Sequence, residues 1–320
     1  MQAILAVTVP FFALVLCGWL AAWRRLLPES AIPGLNAYLL YFALPCMLFR
    51  FGHATPLVEL LNPALLLLYT LCALLLVVFT IAVTRGPRVH LKDAAFGALV
   101  AAFPNSGFMG VPLLVAMLGP AAAGPAICSL LADLFVTTSL CIAIGQAHDA
   151  SGLGPRQAAT RALRGALSNP LPWAIAAGAG LAGVALPAPL EVIVRMLGDS
   201  ASPVALFTIG AVLWRAGQHA HSRTPPALYL PVAAIKLLLH PLLVFAAVGA
   251  ARALGAPISA FQMLVLVLVA ALPSASNVSM LAERYGADNG RIARIIMSST
   301  VLAFVTFTLL AWSLGVAPKG

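Results

Sequence analysis

Two short stretches of this chain combine helix breakers with small polar side chains. The first reads F-P-N-S-G-F-M-G-V-P over 103–112, the second L-P-S-A-S-N-V-S over 272–279. Proline removes a backbone donor and clashes with the preceding turn, and glycine weakens a helix further. Pro104, Gly107, Gly110 and Pro112 fall within nine residues, dense enough to break a helix rather than bend it. A helix restarting after a break presents amide N–H groups with partial positive charge, a setting suited to a carboxylate. Asn105, Ser106, Gly107, Ser274, Ser276 and Asn277 are the candidate binding residues, and Pro104 and Pro273 the breaks. For either stretch alone, a proline kink capped by Ser and Asn is an equal reading.

Three ionisable residues stand inside long apolar runs. Asp133 lies in S-L-L-A-D-L-F-V-T-T-S, and Lys236 and His240 lie one helical turn apart on one face. A mid-bilayer charge costs about 2.5–3.5 kcal/mol on insertion scales, so it normally faces the interior and finds a partner. Asp133 is expected to pair with Lys236 or His240. Such a pair serves proton coupling or anion attraction, or it fixes the packing of two helices. His240 also reads as a neutral core histidine beside a kink at Pro241. Asp199, just before Pro203, reads as the cap of a broken helix. Glu283, Arg284, Asp288, Arg291 and Arg294 read as topology-setting charges.

The elements that must hold these residues are membrane spans. Of 320 residues, 62% are hydrophobic and 8% are Asp, Glu, Lys or Arg. Soluble domains carry roughly three times that charged fraction. A water-facing surface cannot be built from 18 basic and 9 acidic side chains. Soluble enzymes, nucleic-acid-binding domains and disordered chains are excluded together. Ten apolar segments read as spans: 2–23, 31–51, 61–84, 93–117, 124–147, 169–186, 191–214, 227–250, 259–283 and 290–315. Their length without alternation excludes a β-barrel, so the fold class is an all-α polytopic membrane protein.

Orientation follows from the basic residues. Arg24, Arg25, Arg85, Arg88, Lys92, Arg156, Arg161, Arg164, Arg215, Arg223, Arg284, Arg291 and Arg294 fall in loops after odd-numbered spans. Arg50, Arg195, Arg252 and Lys319 fall on the opposite side. The positive-inside rule then puts both termini outside. Residues 2–23 run straight into Arg24 and Arg25 and read as a first span rather than a cleavable leader. The five cysteines share no ligand-like spacing and read as packing residues, so no metal site is expected.

The chain also resembles itself. A-L-P-C-M-L-F-R-F-G (43–52) matches A-S-P-V-A-L-F-T-I-G (201–210), and L-V-A-A-F-P (99–104) matches L-V-A-A-L-P (268–273). Fainter echoes pair Pro10 with Pro170, Gly18 with Gly178, and Leu68-Tyr69 with Leu228-Tyr229. Their order makes spans 1–5 (1–147) the counterpart of spans 6–10 (169–320), joined by a cytoplasmic linker over 148–168. A five-span unit is odd, so its copy is inverted. Inverted repeats with breaks at matching positions are a signature of alternating-access carriers.

P-N-S-G-F-M-G-V-P, the upstream A-L-P, and a ninth span ending in E-R-Y-G (283–286) resemble the auxin efflux carrier family. That family includes plant PIN carriers and bacterial permeases for malonate or malate. It shares a superfamily with the bile acid–sodium symporters. The resemblance covers essentially the whole chain, and Asn105 falls where the family has its span 4 Pro-Asn motif. At the second break PIN carriers have Pro-Asn, whereas this chain has Pro273-Ser274 with Asn277 later. The resemblance implies two crossed discontinuous helices (spans 4 and 9) and an elevator motion. Spans 1, 2, 6 and 7 would be the scaffold, spans 3–5 and 8–10 the transport domain, with a homodimer through the scaffold.

The function expected is secondary transport of a small organic anion across the inner membrane, without cofactor or nucleic-acid partner. A membrane-embedded sensor or a channel using the same breaks is the alternative. No H-E-x-x-H, G-x-S-x-G or G-x-x-x-x-G-K-[ST] occurs, so an enzyme and a self-contained ATP-driven pump are set aside. Ser276, Asn277 and Ser279 could line a sodium site. Few carboxylates lie near them, so a proton is the preferred coupling ion.

Overall fold

The computed structural model describes residues 2–55, 62–146, 160, 164, 167–218 and 224–317. Most of the 148–168 linker, together with Arg156, Arg161, Arg223 and Lys319, lies outside the described residues. The described chain is helical, and the helices used below are α1 (Gln2–Trp23), α2 (Ala31–Ala54), α3 (Pro63–Thr84), α4 (Leu91–Ala102), α5 (Ser106–Leu118), α6 (Pro120–Gln146), α7 (Pro170–Gly180), α8 (Ala188–Gln218), α9 (Pro226–Ala253), α10 (Ala260–Ala270), α11 (Val278–Arg284) and α12 (Asn289–Ser313). Seven of these, α1, α2, α3, α6, α8, α9 and α12, are long and apolar enough to cross a bilayer. The protein is a multi-pass membrane protein.

Helix breaks fall where proline and glycine concentrate. α4 stops at Ala102 and the chain restarts as α5 at Ser106; α10 stops at Ala270 and restarts as α11 at Val278. Elsewhere proline widens a turn without ending the helix. Wide π-turns at Leu39–Ala43 and Ile235–Leu239 each end two residues before a proline, Pro45 and Pro241, as does Ser106–Gly110 before Pro112. The ring displaces a carbonyl one turn back, and the loosened turn absorbs the clash. A fourth π-turn, Asp133–Thr137, has no proline; there the Thr138 hydroxyl donates to the Asp133 carbonyl at 2.8 Å.

Two close helix pairs organise the α1, α2, α7, α8 region. A Cβ on Gly18 (α1) would fall on the Phe207 carbonyl (α8), and one on Gly210 (α8) would fall on the Val15 carbonyl (α1). Likewise a Cβ on Gly178 (α7) would overlap the Phe49 carbonyl (α2), and one on Gly52 (α2) the Ile175 carbonyl (α7). Such backbone approach through small residues suits helix pairing in lipid, where burial of apolar area supplies little drive.

Two expectations are corrected. Pro203 sits inside α8, which runs unbroken through it, so Asp199 caps no break. Asp199 instead forms an ion pair with Arg50 of α2, while Tyr38 and the neighbouring Ser200 share a 2.7 Å hydrogen bond. Packing against α2 holds the helix together despite the missing donor. Arg291 is not merely a topology charge: it is 2% exposed, and its guanidinium donates to the Leu228 and Asp93 carbonyls, both at 2.9 Å.

Candidate functional site

The two breaks meet. The Asn105 amide donates to the Pro273 carbonyl at 2.8 Å, and the Ala275 amide to the Phe103 carbonyl at 3.0 Å. Pro104 and Ser274 thereby face each other as an antiparallel bridge. This explains how non-helical backbone is tolerated among apolar helices: each break supplies the other's missing partner. The Asn105 carbonyl accepts from Met109 and Gly110 at 3.1 and 2.9 Å, opening α5 as a wide turn. The Ser106 amide turns back to the Pro104 carbonyl at 2.7 Å. Gly110 packs against Leu272, whose terminal methyl would have to shift to admit a Cβ.

Two side-chain atoms in this junction are buried without a hydrogen-bond partner, Asn105 Oδ1 and Ser274 Oγ. Asn105 is 2% exposed and Ser274 1%. Orphaned buried polar atoms are uncommon in folded chains and mark a strained or ligand-seeking position. Ser106 and Gly107 are buried beside them, while Ser276 and Asn277 are half-buried, and no hydrogen bond to protein engages either side chain among the described residues. The candidate binding residues are thus brought together from both breaks.

Ser299 of α12 belongs to the same junction. Its hydroxyl accepts from the Ser274 amide at 3.2 Å and donates to the Ile296 carbonyl at 3.0 Å. A serine in the middle of an apolar helix carries no spacing signal, so sequence reasoning passed over it.

The expected ion pair of Asp133 with Lys236 or His240 is absent. Asp133 is fully buried and accepts from Tyr69 Oη and Thr137 Oγ1, each at 3.0 Å. Lys236, also fully buried, donates to the Ala270 carbonyl at 2.7 Å and lies 3.0 Å from His240 Nδ1. The reason lies in the second break. In an unbroken helix Ser274 N would bond the Ala270 carbonyl; here that amide goes to Ser299, and Lys236 fills the vacancy. The positive side chain also sits at the negative end of the α10 dipole. Tyr69 and Thr137 were not anticipated as partners, although Tyr69 had stood out in the internal repeat.

A separate cavity of about 280 Å³ lies at the ends of α2 and α8, lined by Arg50, His53, Glu191 and Arg195 among others. It mixes charges of both signs and shares no residue with the breaks.

Residues 3–311 match the family model described as "Membrane transport protein". The chain belongs to this family. It is 29% identical over 313 residues to the "Putative malonate transporter" of Rhizobium meliloti (strain 1021), covering 96% of this chain and 95% of that protein. It is 25% identical over 307 residues to the "Uncharacterized transporter YfdV" of Escherichia coli (strain K12), covering 93% of each. This membrane transporter therefore aligns with its relatives across both breaks rather than through one segment.

Proposed function

We propose that this transporter is a secondary carrier of a small organic anion, a carboxylate such as malonate or malate or an auxin-like acid. The observation that carries the reading is the junction of the two breaks, where the Ser274 hydroxyl, able to donate to a carboxylate, is buried and unpartnered beside the start of α5. A carboxylate seated there faces the first-turn amides of α5, whose N-terminal end carries partial positive charge. Asn105, Ser106, Gly107, Ser274, Ser276 and Asn277 supply neutral donors and acceptors. A neutral site holds an anion loosely enough to release it, as a carrier must.

Burial of this junction supports alternating access, because cargo reaches it only if helices move. The motion proposed is an elevator. Residues 1–147 and 169–320 are two inverted halves with ten spans in all, and spans 4 and 9 cross at the breaks. The matched glycine contacts of α1 with α8 and of α7 with α2 favour this layout, since the repeat exchanges one pair for the other. Those helices form the static scaffold and the homodimer contact; α3–α6 and α9–α12 move. The protein sits in the inner membrane with both termini periplasmic.

The test is uptake of radiolabelled malonate, malate and indole-3-acetate into proteoliposomes, with Asn105→Ala alongside. Saturable uptake of one anion, lost in the variant, supports the carrier. Binding without uptake points instead to a sensor, and uptake that never saturates to a channel.

A further inference from the structure

Beside the paired breaks lies a polar cluster that the anion site does not use. It joins Tyr69 of α3, Asp133 of α6, and Lys236 and His240 of α9. The Tyr69 and His240 rings lie 6.0 Å apart, and His240 Nε2 is buried with no partner. Tyr69 stands between the two halves of the cluster, bonded to Asp133 and packed against His240. Four groups able to hold or pass a proton therefore occupy one dry site.

We propose that this cluster is a proton-binding site, and that its occupancy sets the position of the second break so that a proton moves with the anion. The proposal rests on the carrier reading above. The link is the Lys236 bond to the Ala270 carbonyl. That carbonyl ends α10, and the next residues run into Pro273, which holds the Asn105 amide. With its proton, Lys236 is a cation at the negative end of α10 and fixes this end in place. When the proton passes to His240, 3.0 Å away, or leaves for water, that anchor weakens and the break is freed to shift. Asp133, held by Tyr69 and Thr137, is a further group near the site able to take the proton. The proton comes from water on one side and returns to water on the other; only N–H and O–H bonds form and break. Sodium is a poor occupant, because the Lys236 ammonium already takes the carbonyl a metal ion would need.

Other titratable groups are few near the cluster. α3 adds Cys72 and α6 adds Cys128 and Cys141, all buried thiols. α10 brings only the Ala270 carbonyl, having no ionisable side chain. Lys92 and Asp93 of α4, Tyr229 of α9, and Arg291 and Arg294 of α12 lie toward the far end of α9. There Arg291 reaches the Leu228 carbonyl, eight residues and roughly 12 Å along the helix from Lys236.

Malonate counterflow without a pH gradient, accumulation under an imposed gradient, and vesicle-trapped pyranine separate the two readings. One proton carried per malonate dianion moves one net negative charge, so with the membrane potential clamped at zero by potassium and valinomycin it sustains about a tenfold accumulation per pH unit. Wild type should reach that ratio and acidify or alkalinise the lumen as malonate moves. Lys236→Gln and Asp133→Asn should retain counterflow and lose the gradient-driven part. Tyr69→Phe keeps the ring and removes only one donor to Asp133, so it carries the test if a charge variant fails to fold; it should lower the ratio several-fold. Absence of malonate, malate and indole-3-acetate counterflow in wild type removes the carrier reading. Counterflow with neither accumulation nor proton movement overturns the proton site alone, as does a full tenfold ratio in Lys236→Gln and Asp133→Asn.

Discussion

Gly18 packs so closely on Phe207 that its missing side chain leaves room only for the Phe207 carbonyl, and Gly178 packs on Phe49 in the same way. The self-similarity of the chain maps Gly18 onto Gly178 and Phe207 onto Phe49. One contact, used twice, brings α8 against α1 and α2 against α7. The reciprocal glycines, Gly210 and Gly52, obey the same correspondence through Val15 and Ile175.

Substituting either member of such a pair should therefore have equal effect. Gly18→Ala and Gly178→Ala each insert a methyl group where a backbone oxygen stands, and overpacking of this kind costs about 1–3 kcal/mol. Gly180→Ala, with open space at its Cβ, should be neutral. Thermal unfolding in detergent checks this. A large loss at Gly18 with none at Gly178 would break the correspondence.

The first helix break was legible because Pro104, Gly107, Gly110 and Pro112 crowd together, a density that single prolines carried through helices, such as Pro203, lack. The glycine pairs were half legible, since repetition marked Gly18 and Gly178 but not what they touch. Pairing of the buried charges was not legible. Lys236 turns to a carbonyl that is free only because Ser274 N bonds Ser299, two facts with no trace in spacing. Pro203 misled for the opposite reason, since packing against α2 carries α8 through a residue that would end an isolated helix.

At the junction, Asn105→Ala and Ser274→Ala each remove an unpartnered polar group, so folding should tolerate them. Deleting an orphaned group relieves a desolvation cost rather than creating one. Uptake should fall by roughly tenfold or more for each, matching the loss of one donor to the anion, the Ser274 hydroxyl or the Asn105 amide NH2. The diagnostic pattern is unchanged or raised melting temperature with lost transport. A variant that both melts early and loses transport would make Asn105 structural.

Ser299→Ala should behave differently. It leaves the Ser274 amide buried without an acceptor, a penalty of about 1–3 kcal/mol. The freed amide can return to the Ala270 carbonyl only by displacing Lys236, so stability and uptake should decline together. Ser299→Thr retains the hydroxyl and should restore both in part. Uptake and melting temperature measured on the same preparations decide it, and a neutral Ser299→Ala would mean the Ser274 amide has another acceptor.

Arg291 offers a test of stability away from the breaks. Its side chain joins α12 to the Leu228 carbonyl of α9 and the Asp93 carbonyl of α4, and its own amide is capped by Asp288 Oδ1 at 2.9 Å. The Asp93 carboxylate in turn accepts from the Asp288 amide at 2.8 Å, closing the corner. Arg291→Met keeps much of the apolar stem but removes the cross-helix donor from both carbonyls, each of which keeps its own helical partner. Each lost bond from the charged guanidinium costs about 1.5–3 kcal/mol, partly offset by no longer burying a charge. The net loss should be on the order of 2 kcal/mol. Gly97→Ala is the mild comparison: its Cβ would stand 2.7 Å from Arg291 Nη1, and the guanidinium can shift a few tenths of an ångström to admit it. Cys72, Cys128 and Cys141 are buried free thiols, so a thiol-reactive fluorophore reports unfolding as temperature rises. Arg291→Met should label well below the wild-type temperature and Gly97→Ala only slightly below it; identical curves for Arg291→Met and wild type would show that this corner is not what joins α4, α9 and α12.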